Sequence, residues 1–159
     1  MHENVKVLLE KYKYQVRLIH KNYPLDSSCN PSVPAPMHPN ACNAAAASVC
    51  AQSMGKYQSY SEKLWTATDL TPQSLIAMAA GEGMDKTAFQ QCMKSDETRL
   101  KVLNDISVGD AIKLEATPTF VINGLKFTGY KEVKWCSTLI DKLLKGEPIP
   151  PSGVPLQDE

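Results

Sequence analysis

Two groups of residues in this chain have the types and spacing to do chemistry: five cysteines and the run from Ala116 to Gly124. The cysteines are Cys29, Cys42, Cys50, Cys92 and Cys136. Their spacings match no zinc motif, and no Cys-x-x-Cys occurs among them, so a dithiol centre cannot be assembled from neighbours in sequence. Cys42 and Cys50, eight residues apart on one expected helix, would stand roughly 12 Å apart by helical rise, too far to bond. Cys29 and Cys42 bracket a Pro-rich loop and could bridge it, a structural link worth about 3 kcal/mol in the loop-entropy model. Cys50 and Cys92 are either a second pair or two buried thiols. Cys136 falls on an apolar helix face and reads as a core thiol.

The run Ala116-Thr117-Pro118-Thr119-Phe120-Val121-Ile122-Asn123-Gly124 is more distinctive. Proline cannot donate to a sheet ladder and is tolerated at the first residue of a strand. X-Pro is the junction at which a cis bond costs little. Asn-Gly after β-favouring residues is the strongest short hairpin signal. Elsewhere, His38 and Cys42 stand at i and i+4, but an exposed loop histidine beside a structural disulfide is the simpler reading, and no metal site is expected. His20 is expected in solvent. Asp110 shares the apolar face of its helix, a conflict that a kink at Gly109 would relieve by turning it outward. Tyr57, Tyr60 and Trp65 read as core aromatics.

Apolar spacing sets the elements that hold these residues. Val5, Leu8, Leu9 and Tyr12 make one face of a helix over 4–13. Residues 15–23 alternate with apolar groups on both sides and predict an interior strand, ended by Pro24. Residues 24–39 are a loop rich in Pro, Ser and Asn, with Pro39 expected in the first turn of an Ala-rich helix over 40–54. Helices follow over 56–65, from the Thr71-Pro72 cap to Gly81, from the Asp85 cap to Met93, and from Asp96 to Leu114. Strands over 119–122 and 126–128 flank Asn123-Gly124. A helix over 131–145 stops at Gly146, and the Pro-rich tail 148–159 is expected to be disordered. Strands at both ends of a long helical block describe an α/β frame split by a helical insertion.

Seventeen basic residues balance seventeen acidic ones, so no nucleic-acid partner is expected. No apolar stretch reaches membrane-spanning length. Five cysteines are many for a small cytosolic protein and favour an oxidising compartment, their odd number leaving at least one thiol unpaired, although residues 1–4 lack the basic-then-apolar start of a signal peptide.

In order along nearly its whole length the chain resembles the DsbA-like branch of the thioredoxin superfamily. The resemblance lies in Tyr23-Pro24-Leu25 after a strand, the Ala-rich helix after His38-Pro39, and Gly83-Met84-Asp85 followed by Phe89 and Cys92. Its most specific part is Thr117-Pro118-Thr119-Phe120 with Ile122-Asn123-Gly124 and Gly129. The Asp26–Asn30 segment with Cys29 is most similar to members linked with vitamin-K-epoxide-reductase-like membrane partners. The implied fold is an α/β thioredoxin fold with a large all-helical insertion, lacking the first strand. It would form one domain over 1–147, with thioredoxin parts 1–25 and 115–147 and an insertion over about 38–114.

The implied activity is protein thiol–disulfide exchange in secreted proteins, without a cofactor. Thr117 and Pro118, the latter in a cis peptide, would present free backbone to extended polypeptide substrates. The same resemblance implies a membrane quinone-linked reoxidation partner and a periplasmic or other extracytoplasmic location. The family's Cys-x-x-Cys sits at the N-terminus of the first helix, here immediately upstream of Met1, and His2 resembles a histidine shortly after it. Met1 is therefore expected to be an internal methionine of a longer protein, and the polypeptide as it stands to lack activity. Two alternatives belong to other classes: a non-catalytic peptide-binding module, and a relative similar to the kappa glutathione transferases.

Overall fold

The computed structural model describes residues 2–35 and 37–149, with side chains from residue 3. The expected tail thus lies almost wholly outside the described residues, as does the side chain of His2. The chain divides into two compact units, one made of residues 1–19 and 114–159, the other of residues 20–113.

The first unit contains α1 (His2–Lys11), β1 (Thr119–Ile122), β2 (Leu125–Thr128) and α2 (Val133–Lys145). The periodic face of α1 brings Tyr12, just past its end, into the core, where its hydroxyl lies 2.7 Å from Asp141 Oδ1 and 3.0 Å from the Ser137 carbonyl. Asn4 donates through Nδ2 to the Lys131 carbonyl at 3.0 Å, tying the start of α1 to the segment before α2. Phe127 packs edge-on against Trp135, with ring centroids 4.9 Å apart. Tyr12, Phe127, Cys136 and Leu139 are the buried apolar residues among those described in this unit. Gly146 ends α2 at φ 71°, a left-handed position that glycine takes without a Cβ penalty.

β1 and β2 form an antiparallel pair, Thr119 opposite Thr128 and Ile122 opposite Leu125. Asn123 and Gly124 both take positive φ, 47° and 86°, as a two-residue hairpin turn demands. β2 begins one residue before its expected start. The expected strand over 15–23 does not form: residues 16–26 are irregular. Strand propensity needs a ladder to act on, and among the described residues the sheet holds β1 and β2 alone. Leu18 and Ile19 are accordingly exposed.

The second unit is helical: α3 (Ala41–Ser53), α4 (Tyr57–Thr66), α5 (Pro72–Gly81), α6 (Lys86–Lys94) and α7 (Asp96–Ala111). The small residues of α3 let it pack closely on its neighbours, and Ala47, Cys50 and Ala51 join Tyr60, Leu75, Ala79, Met84 and Phe89 in one buried cluster. Ala45 and Val49 on the other side of α3 meet Val102 and Ile106 of α7. Thr71 and Asp85 cap their helices as expected, accepting from the Ser74 and Ala88 amides. Pro39 lies outside α3, which starts after Asn40 in a left-handed conformation. At α7 the cap is Ser95, whose Oγ accepts from the Thr98 amide at 3.1 Å, and Asp96 occupies the first turn. α7 stops at Ala111, short of Leu114, and Lys113 turns to φ 52°. Of the aromatic set, Tyr60 is fully buried and Tyr57 half-buried, but Trp65 is exposed because α4 turns that face to solvent.

Candidate functional site

The loop before β1 carries the most distinctive geometry of the first unit. Thr117-Pro118 is cis. Thr119 closes the bend by donating from Oγ1 to the Ala116 carbonyl at 2.6 Å, and the Gly129 amide donates to the Pro118 carbonyl at 2.8 Å. That last bond fixes which backbone groups remain free. In an antiparallel pair, hydrogen-bonded and non-bonded positions alternate. Pro118, Phe120 and Ile122 therefore face β2, and Thr119 and Val121 direct their N–H and C=O groups to the opposite edge. Among the described residues no strand pairs with that edge, and no described residue bonds the backbone of Thr117. Val121 is 52% exposed. The edge thus presents Thr119 and Val121, with the exposed Thr117 at its start, as ready partners for an incoming extended chain.

The cysteines stand apart from this edge in sequence and in state. Cys29 and Cys42 are joined by a disulfide, as are Cys50 and Cys92. The second pair, left open by the sequence, links α3 to α6; its sulfurs lie 3.6 and 3.4 Å from the Thr98 hydroxyl. Cys136 is the free cysteine, buried in the first unit, where loss of water raises its pKa despite the opposing charge of Lys131. A buried thiol held protonated is a poor nucleophile. Disulfide exchange by a thiolate of this chain is therefore unsupported by any cysteine it carries.

The Cys29–Cys42 bridge closes a loop with its own polar core. Asp26 is 4% exposed. Its carboxylate sits below its ordinary pKa, chiefly because the Ser28 amide donates to it at 3.0 Å, with further help from the amides of Cys42 and Asn40. Asn30, fully buried, donates to the Pro24 carbonyl and accepts from the Ser32 amide. The Met37 and His38 amides both reach the Leu25 carbonyl at 3.0 Å. Sequence reading placed Cys29 and Cys42 around this loop but missed Asp26 and Asn30. An Asx residue two positions before serine, in Asp26-Ser27-Ser28 and Asn30-Pro31-Ser32, was the available signal.

Asp110 lies on an unbroken α7 and is held outward by the hydroxyls of Tyr23 and Ser32, at 2.7 and 2.9 Å. No kink at Gly109 is needed to expose it. The His20 and Tyr57 rings meet at a 42° tilt with centroids 5.6 Å apart. Among the described residues no group of three His, Cys, Asp or Glu side chains is placed to hold a metal.

A family model described as thioredoxin matches residues 1–142, and the chain belongs to that family. It is similar to a crystal structure of a thioredoxin-like oxidoreductase from Silicibacter pomeroyi DSS-3, with a TM-score of 0.74 at 19% identity, over 91% of this chain and 77% of that one. The α/β thioredoxin-like fold with a large helical insertion is thus shared along most of its length. In sequence the chain is 32% identical over 95 residues to the Na(+)/H(+) antiporter NhaA 1 of Mycolicibacterium gilvum, and 30% identical over 95 residues to that of Mycolicibacterium vanbaalenii. Each match takes in 58% of this chain, and the chain spans only 15% of the length of these curated relatives.

Proposed function

We propose that this chain is a thioredoxin-fold domain serving protein thiol–disulfide exchange, and that its own part in the reaction is to hold the substrate. An extended polypeptide segment would lie along the free edge of β1, exchanging backbone hydrogen bonds with Thr119 and Val121 beside the exposed Thr117. The observation that carries this reading is that, among the described residues, no strand pairs with that edge, in a chain similar in fold to a thioredoxin-like oxidoreductase. Main-chain pairing accepts many sequences, which suits a domain acting on many folded or folding proteins.

The exchange itself requires a thiolate that attacks one sulfur of a disulfide, forming a mixed disulfide while the other sulfur leaves and takes a proton. Four cysteines here are already oxidised and the fifth is buried, so the attacking dithiol must be supplied from outside these 159 residues. Two disulfides in so short a chain favour an extracytoplasmic, oxidising location. Ion transport is not part of the proposal, because the chain spans only 15% of the length of the antiporter relatives.

Amide chemical shifts during titration with an extended, cysteine-blocked peptide test the holding role. Shifts at Thr117, Thr119 and Val121 are expected. Val121→Pro, which removes an outward amide without touching the β2 ladder, should lose them. Shifts confined to the helical unit would overturn the reading. In dithiothreitol-driven insulin reduction the polypeptide should add nothing to the rate of the dithiol alone; acceleration would show a catalytic thiol in this chain.

A further inference from the structure

The bonded cysteines pair in chain order, Cys29 with Cys42 and then Cys50 with Cys92. Other pairings of the same residues exist, and sequence alone does not choose among them. The shortest loop on offer is neither native one but Cys42–Cys50, eight residues apart. Closure entropy by itself would favour that link, since its cost rises with the logarithm of loop length. α3 removes it. Both cysteines lie on this one helix, Cys42 in the first turn and Cys50 about two turns on, so its rise holds them roughly 12 Å apart, beyond the reach of a disulfide. The alanines between them make the segment a good helix former on local sequence alone. The same rise excludes the crossed pairing. Cys29 packs against the cluster of Val49, Val102 and Ile106, whereas Cys50 and Cys92 share the cluster of Tyr60 and Phe89. Each cysteine of α3 therefore meets one partner. Cys136 is buried in the other unit, and residues 20–113 hold every bonded cysteine in one continuous stretch.

We propose that this chain is matured by two dithiol oxidations in chain order, Cys29–Cys42 before Cys50–Cys92. Each needs a disulfide donor alone, and α3 is the element that makes reshuffling unnecessary. In each oxidation one cysteine thiolate attacks the donor disulfide, forming a mixed disulfide and releasing one donor thiol. The partner cysteine then attacks the chain-side sulfur and releases the second donor thiol. The cysteine pair is oxidised, the donor disulfide is reduced, and the two cysteine protons end on the two donor thiols. The order follows from loop length and from local bonding. The pairs are 13 and 42 residues apart, so closure of the shorter loop is favoured about sixfold by the three-halves power of length. The Asp26 carbonyl accepts from the Cys29 and Asn30 amides and lies 3.4 Å from Cys42 Sγ, so the turn that carries Cys29 is aimed at its partner by neighbours in sequence. Cys50 and Cys92 meet only once α3 and α6 have packed. The class of reaction that acts on the newly made chain is thus dithiol oxidation, without disulfide isomerisation, whatever the edge of β1 receives.

Oxidation of the reduced, unfolded chain by oxidised glutathione, started by dilution from denaturant, reads the pairing directly. Samples are quenched by alkylation and separated by number of disulfides, and the bonded cysteines are located by fragmentation mass spectrometry. Among one-disulfide chains Cys29–Cys42 should exceed Cys50–Cys92 about sixfold, and Cys42–Cys50 should be nearly absent. Both native bonds should then follow with no reduced glutathione added. In concentrated guanidinium, where α3 melts, Cys42–Cys50 should become the leading species instead. Ala46→Pro, which clashes with the carbonyl of Cys42 and frees that residue from the helix, should give the same leading species without denaturant. The trapped intermediate is read whether or not this variant reaches the native fold, and Ala46→Gly should move the distribution the same way by less. A wild-type chain that forms Cys50–Cys92 first overturns the order. Misbonded chains that reach the native pairs only after reduced glutathione is added overturn the oxidation-only route. Equal amounts of Cys42–Cys50 in wild type and Ala46→Pro overturn the role of α3.

Discussion

The two units of this molecule stabilise themselves by opposite means. Residues 20–113 form a helical unit closed twice over: one disulfide ties α3 to α6, another ties the loop 24–40 to the start of α3, and that loop saturates its own polar groups. Among its described residues, the unit of residues 1–19 and 114–159 has four buried apolar side chains and one hairpin, with no strand paired to the outer edge of β1. Among the described residues it has no disulfide, and its cysteine is a buried free thiol. Covalent closure is placed where short helices and a proline-rich loop need it. Open backbone is placed in the unit that carries the family's most distinctive loop.

The largest expected effect follows from breaking the closure of the helical unit. Cys50 and Cys92 are 42 residues apart, so replacing both by alanine should cost about 4 kcal/mol in the loop-entropy model, read as a lowered urea midpoint. Removing Cys29 and Cys42, 13 residues apart, should cost about 3 kcal/mol. Exchange protection should fall first in α3 and α6 for the former pair, and in residues 24–40 for the latter. If neither pair lowers the midpoint, the closure of this unit is not what distinguishes it, and the comparison fails.

How much of this was legible in the sequence follows from how local each signal is. Thr71, Asp85, Asn123-Gly124 and Gly146 each act through a side chain or a φ angle within a few residues, and each was read correctly. The strand expected over 15–23 failed because its alternation says only that it could pair, and a ladder partner is a non-local fact. Trp65 failed similarly, since helical spacing gives a face but not which way the helix turns it. Ser95 against Asp96 was a choice between two adjacent capping residues, with nothing local to separate them. The Cys50–Cys92 bond could only be offered as one of two readings, because whether α3 and α6 approach depends on the packing of Tyr60, Leu75 and Phe89 around them. At the candidate site, Thr117 and Pro118 were visible from their neighbours. The outward amides of Thr119 and Val121 needed the observed register.

A smaller effect tests the polar core of the loop. Asp26→Ala would remove the buried carboxylate that accepts from the part-buried Ser28 amide, at about 1.5–3 kcal/mol for a hydrogen bond to a charged group. Because its carboxyl lies below the ordinary value of 3.8 in the folded chain, its stabilisation is fully present above that value and is lost as pH falls through the depressed folded pKa. The gap between wild type and Asp26→Ala in chemical unfolding should therefore be constant near neutrality and narrow below pH 3.8. A gap that persists unchanged into acid would mean that the charge does not matter and only packing was lost.

The smallest effect has the opposite sign and belongs to the other unit. Cys136 is buried and its pKa is raised above the ordinary 9.0, so the folded chain keeps its proton while the unfolded chain gives it up. Above pH 9.0 the unfolded state thus binds fewer protons, and stability must fall with rising pH, by up to about 1.4 kcal/mol per unit until the folded thiol also ionises. Comparing urea midpoints at pH 8 and pH 10 for wild type and Cys136→Ala isolates this contribution, since lysine and tyrosine titrations are common to both. The alkaline loss should be steeper in wild type. Equal losses would mean that Cys136 ionises as readily folded as unfolded, and that water reaches the core of the open unit. Acid would then remain a selective probe of the closed unit, and alkali would have no such reach into the open one.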